Sequence, residues 1–169
     1  GGLRGRAVDI RRYKGSGDFL TVVAPEAVEA RKEPFGALIN REYVFVSDEP
    51  QKYEQGGAMF SGTAGYARAD QLALFEGDAI GIDGFLLRRE GGNFGVSAEL
   101  SGETVRGRIA GRAGGRVWVT LPGGFDAAKV RVAIGGKPVA STAASGAVSF
   151  AATISQADGF KSYEIEFGR

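Results

Sequence analysis

Apolar and polar residues alternate with a period of two along much of the chain, most clearly in its C-terminal half. In Phe94–Leu100 the residues Phe94, Val96, Ala98 and Leu100 share one side and Ser97 and Glu99 take the other, the signature of a strand with one buried face. Arg116–Leu121 places Val117, Val119 and Leu121 together, and Lys129–Ile134 sets Val130, Val132 and Ile134 against outward Lys129 and Arg131. Ala147–Ile154 turns Val148, Phe150, Ala152 and Ile154 inward. Lys161–Phe167 does the same with Tyr163, Ile165 and Phe167, opposite Ser162, Glu164 and Glu166. The N-terminal half follows this grammar less regularly, with Val8 and Ile10 against Asp9 and Arg11, then Phe19–Val23, Phe35–Ile39, Tyr43–Ser47 and Leu72–Glu76.

These segments recur about once every 10 to 13 residues with turn signals between them, the spacing of sandwiches and barrels. The best helical candidates, Pro25–Lys32 and Asp126–Lys129, are too short to cross over between parallel strands, so the pairing is expected to be antiparallel. The expected fold is all-β: an antiparallel β-sandwich of about a dozen short strands with almost no helix, residues 1–169 forming a single β-sandwich domain. Pro25, Pro34, Pro50, Pro122 and Pro138 fall at expected strand ends. The pairs Gly91-Gly92, Gly114-Gly115, Gly123-Gly124 and Gly135-Gly136 read as turns, the last within a hairpin signature at Ile134–Val139. Asp48–Gly57 reads as a polar loop, the place for a ligand-facing segment that exposes Tyr53. No duplicated segment, charge block or low-complexity tract marks a second domain.

Composition narrows the chemistry. The chain has no Cys, which removes thiolate nucleophiles, disulfides and zinc–thiolate sites, and no His, which removes the usual general base near neutral pH. Serine–histidine and cysteine–histidine catalysis are therefore excluded within this chain. With 21 basic and 20 acidic residues the net charge is +1, so the overall field calls for neither nucleic acid nor membrane and any polyanion contact must be local. The 28 glycines follow no collagen period and form no phosphate loop. No apolar run is long enough to span a membrane as a helix. The start, Gly1-Gly2-Leu3-Arg4, lacks an initiator Met and an apolar signal core, as expected of a processed product or a module of a larger protein.

Within Glu103–Arg112 a strand would turn Arg106 and Arg108 to the same side, about 7 Å apart, a guanidinium ladder able to grip carboxylates or sulfates. Arg112 and Arg116 flank the turn expected after it; the competing reading is that such arginines pair with Glu or Asp on the next strand. Arg11, Arg12, Lys14, Arg88 and Arg89 carry the same two readings. Trp118 lies opposite Val117 and Val119, either packed on the second face of a central strand or exposed as a sugar platform. Tyr13, Tyr43, Tyr53 and Tyr66 are further aromatic candidates, Tyr53 foremost. The candidate ligand-binding set is Arg106, Arg108, Tyr53 and Trp118. Glu76, Asp78 and Asp83 could offer oxygens to calcium or lie in a solvated turn, and their spacing matches no established loop. No catalytic residue and no cofactor is expected.

The runs Gly56–Tyr66, Gln71–Gly77, Ile80–Phe85 and Phe94–Ser97 resemble the β-sheet region that follows the catalytic part of heparinase-like and alginate-lyase-like bacterial polysaccharide lyases. Val117–Pro122, Val130–Val139 and Ser162–Phe167 are similar to C-terminal β-sandwich modules of carbohydrate-active enzymes, and together these runs cover about two thirds of the chain. The resemblance implies a secreted or periplasmic setting, polysaccharide breakdown and a helical catalytic domain or companion chain as partner. That family often uses His, Tyr, Asn and Arg, and without His its catalytic and metal-binding roles do not carry over. The expectation is a non-catalytic accessory module giving structural support and contact with an acidic polysaccharide. Its rivals are a stand-alone structural or adhesive surface or virion β-domain, and part of a lyase site using Tyr and Arg.

Overall fold

The alternation resolves into one antiparallel sheet in the computed structural model, which describes residues 30–91, 93–154 and 159–168. Its strands are β1 (Ala30–Glu33), β2 (Gly36–Ile39), β3 (Glu42–Gln55), β4 (Ala58–Arg68), β5 (Gln71–Ile82), β6 (Phe85–Glu90) and β7 (Asn93–Ser101). They continue as β8 (Thr104–Thr120), β9 (Asp126–Ile134), β10 (Lys137–Pro138), β11 (Ser141–Ala144), β12 (Ala147–Ile154) and β13 (Phe160–Gly168). All 13 pair antiparallel, and no helix occurs among the described residues. The sheet is strongly curled, a half-barrel.

The strand count understates how long the ribbons are. β6 and β7 run end to end between β5 and β8: Ile82↔Phe85 through Ala79↔Arg88 in β6, then Leu74↔Val96 through Gln71↔Glu99 in β7. On the far edge of β8, β12 covers Ala113–Thr120 and β13 covers Thr104–Ala110. β13 also pairs with β9, so it sits between β8 and a strand made well before it.

The long ribbons all bend along one line across the sheet. In β3 the register with β4 jumps between Val46 and Gln51, so Ser47–Pro50 forms the outside of the bend. Next come Gly62 in β4 and Gly77 in β5, both at positive φ (154° and 148°). A Cβ on Gly77 would lie 2.7 Å from Cα of Gly62, so two backbones touch where side chains would normally hold them apart. The line continues through Gly91 and Gly115, where a Cβ on Gly115 would come within 2.6 Å of the Gly91 carbonyl oxygen. The bend is sharp: Phe45 and Tyr53, on the same strand, would stand about 26 Å apart in a straight one. Their ring centroids are 5.2 Å apart.

Bending brings the apolar face of one half of the sheet over that of the other, so the two layers expected of a sandwich are halves of the same ribbons. Phe45 stacks on Phe60 with centroids 4.5 Å apart and planes 3° from parallel, and Phe150 meets Tyr163 at 5.1 Å. Leu72, Leu74, Val96, Val105, Ile109 and Ile165 from one half join Ile80, Leu87, Val117, Val119, Val148 and Phe150 from the other in one core cluster.

Several local expectations change. Asp48–Gly57 is no loop: β3 runs through Gln55 and only Gly56 and Gly57 form a turn, because β4 folds back and pairs Tyr53 with Phe60. Asp126–Lys129 begins strand β9 rather than a helix, and the described end of Pro25–Lys32, from Ala30, is strand β1. Gly91 and Gly114-Gly115 mark the bend rather than hairpin turns. The expected strands at Val8–Ile10 and Phe19–Val23 lie outside the described residues, as do Arg11, Arg12, Tyr13 and Lys14.

Candidate functional site

On the face turned away from the core, antiparallel register gathers residues from distant parts of the chain into cross-strand rows. One row runs Arg68, Gln71, Glu99, Arg106, Glu164, Ala133, from β4 through β5, β7, β8 and β13 to β9. The next runs Tyr66, Ala73, Ser97, Arg108, Ser162 along the same strands. Between these rows lies a groove of about 780 Å³, lined among others by Tyr66, Phe75, Glu99, Arg106, Arg108 and Glu164.

Two of the four charges lining the groove match each other, and Arg68 in the adjoining row is matched as well. Arg106 donates from Nε to the Glu164 carboxylate, and this bond, then the charges of Glu164, Glu166 and Glu99, raises its pKa. Arg68 is held by Asp70 through bonds of 2.7 and 3.2 Å and lies 3.7 Å from Glu42. Arg108 differs. Its backbone N–H donates to Ser97 Oγ at 3.1 Å, and its guanidinium carbon stands 5.1 Å from the centroid of the Phe160 ring. Among the described residues no carboxylate pairs with it.

The phenols of the groove are held protonated. Burial, then the hydrogen bond and charge of Glu42, pushes Tyr66 up to about 12. Tyr163 lies beneath Gly107 and donates to the Ser97 carbonyl at 2.6 Å, and burial drives its pKa well above the usual range. Neither phenol is poised to take a proton from a substrate near neutral pH.

Of the four residues singled out in the sequence, the structure brings two together. Arg106 and Arg108 line the groove side by side. Tyr53 is buried in the core at 8% exposure, its hydroxyl 3.4 Å from Glu33 Oε2, so it offers no exposed platform. Burial, then the Glu33 charge, raises its pKa. Trp118 lies past the bend in β8, half-buried between Arg88 and Ser149 in the register, with its indole N–H enclosed and unpaired. Arg116 donates to Ser149 Oγ at 3.2 Å, and the side chain of Arg112 lies outside the described residues. Arg89 turns into the bend, donates from Nε to the Gly77 carbonyl and stands 5.1 Å from the Phe94 centroid; burial lowers its pKa. Among the described residues Glu76, Asp78 and Asp83 form no group able to hold a metal.

Two aromatic residues escaped the sequence reading. Phe75 and Phe160, 51% and 55% exposed, are the only large apolar side chains left in solvent among the described residues. The signal was present: with Leu72 and Leu74 inward, alternation turns Phe75 outward, and with Tyr163 and Ile165 inward it does the same for Phe160.

No family model matches the chain, and no curated protein matches it either.

Proposed function

We propose that this chain is a non-catalytic β-module of a bacterial polysaccharide-processing enzyme of the lyase kind, acting outside the cytoplasm beside a helical catalytic domain or companion chain and helping to hold an acidic glycan. The observation that carries the reading is Arg108: an outward guanidinium in a groove, braced by an aromatic ring and without a carboxylate partner among the described residues. A planar guanidinium matches a uronate carboxylate or a sulfate through paired hydrogen bonds. Arg106, engaged by Glu164, serves as a second contact whose partner a ligand must share. The raised phenol pKa values weigh against the alternative of a Tyr/Arg lyase site.

Calorimetric titration with an oligouronate and with a neutral oligosaccharide of equal length tests this. Binding of the oligouronate alone, weakened by added salt and lost in Arg108→Ala, is the expected result. Equal binding of the neutral sugar, or oligouronate binding untouched by Arg108→Ala, would overturn it. Absence of binding to either sugar would leave the structural or adhesive reading, to which the exposed Phe75 and Phe160 are equally suited as protein contacts.

A further inference from the structure

We propose that the outward face carrying the groove takes a chain of sugars lying across the strands, from Phe75 in the groove to Phe160 beyond its lining, rather than one acidic sugar; this deepens the acidic-glycan reading and rests on it. The two rings stand in the same cross-strand row. Phe160 pairs with Ala110, Ala110 pairs with Gly95, and Phe75 follows Leu74, whose partner is Val96. Continued one step past the last paired residues, Leu74 and Val96, the row reads Phe75, Gly95, Ala110, Phe160, two exposed rings with two of the smallest residues between them.

Packing does not demand glycine at 95. A Cβ there would meet its nearest neighbours, the Leu74 carbonyl oxygen and Ala110 Cβ, at 3.8 and 3.9 Å, which is ordinary contact. Its φ is not in the left-handed region either, so the backbone would accept other residues. The open floor is thus a property of the surface, unlike Gly62, Gly77 and Gly115, which the bend requires. Three interstrand steps separate the rings, about 14 Å, more than one pyranose ring covers. The C–H faces of sugar rings pack on the electron-rich faces of aromatic rings, and each Phe offers such a surface at an end of the floor. Arg108 occupies part of the Phe160 surface and places its charge beside the path, so an acidic group falls next to that ring and the chain continues toward Phe75.

The probe is a series of oligouronates from monomer to hexamer, titrated against the full chain. A ligand long enough to reach both rings gains the second contact without a second encounter, so affinity should rise about tenfold or more from monomer to tetramer and then level off. Phe75→Ala should erase that gain and weaken the monomer less than Phe160→Ala, which should weaken monomer and tetramer alike. Both side chains are exposed, so the fold should tolerate either change. Ala110→Trp, which fills the exposed floor, should weaken the tetramer more than the monomer. A monomer that binds as tightly as the tetramer, or a length gain that survives Phe75→Ala, overturns this inference while leaving the acidic-glycan reading standing. An acidic peptide that binds as well as the tetramer, or no binding at any length, overturns both.

Discussion

Two adjacent glycines in β8 allow the bend to be tested with its own internal control. A Cβ on Gly114 would meet nothing within 4 Å. A Cβ on Gly115 would lie 2.6 Å from the Gly91 carbonyl oxygen and 2.9 Å from its carbon, with the Glu90 carbonyl oxygen closer still. All three atoms are backbone, so relief requires the ribbons to separate at the bend. Gly→Ala removes about the same freedom from the unfolded chain at both positions, an effect of roughly 0.4–1 kcal/mol in favour of the folded state. Gly114→Ala should therefore be neutral to stabilising. Gly115→Ala adds overpacking, typically about 1–3 kcal/mol and more where backbone must move, so the two variants should differ by about 2–4 kcal/mol. At this chain length each kcal/mol shifts Tm by roughly 2–4 °C, so heat and urea unfolding should both resolve the gap. Variants that agree within about 0.5 kcal/mol would refute the close approach at the bend.

Phe45→Ala, which removes the ring stacked on Phe60 and tilted against Tyr53, should cost about 3–5 kcal/mol in urea unfolding. Tyr163→Phe removes the buried hydroxyl that donates to the Ser97 carbonyl and should cost about 1–2 kcal/mol with no change in strand content by circular dichroism. Tyr53, Tyr66 and Tyr163 all have raised pKa values, so the folded state keeps protons that the unfolded chain releases near pH 10. Their contribution is full below about pH 10 and is lost as pH rises toward and past Tyr66's value of about 12; the urea midpoint should fall steadily across that interval, and a flat profile would contradict the shifts.

Alternation made the strands legible because it reports burial directly, residue by residue. It identified the inward faces of β7, β9, β12 and β13 without knowledge of their partners. The bend was harder to read. Gly91 and Gly114-Gly115 have the local chemistry of turns, and only the approach of a neighbouring backbone distinguishes a bent strand from a reversed one. Asp48–Gly57 misled for a related reason: with Tyr53 its lone inward anchor, the segment looks like loop until β4 is laid beside it. The same bend that buries Tyr53 removed it from the candidate site. In the groove, outward Arg106 and Arg108 follow from parity alone. That Arg106 meets Glu164, 58 residues away, depends on β13 entering beside β8, which no local pattern encodes.

The position of β13 also sets an order of assembly. From β3 to β8 neighbouring ribbons follow one another in sequence, β6 and β7 together making one ribbon, and can zip up as they are made, whereas β9 acquires its partner along most of its length only when β13, the last of the described strands, slides in beside β8. Until then β8 and β9 each leave open the backbone edge that β13 will cover, and each is able to pair with another molecule. Closing them needs a contact across a long stretch of chain, the slow kind of step in β-folding. The interval between making β9 and docking β13 is thus when this protein is most exposed to mispairing, and whatever hastens that docking guards it against aggregation.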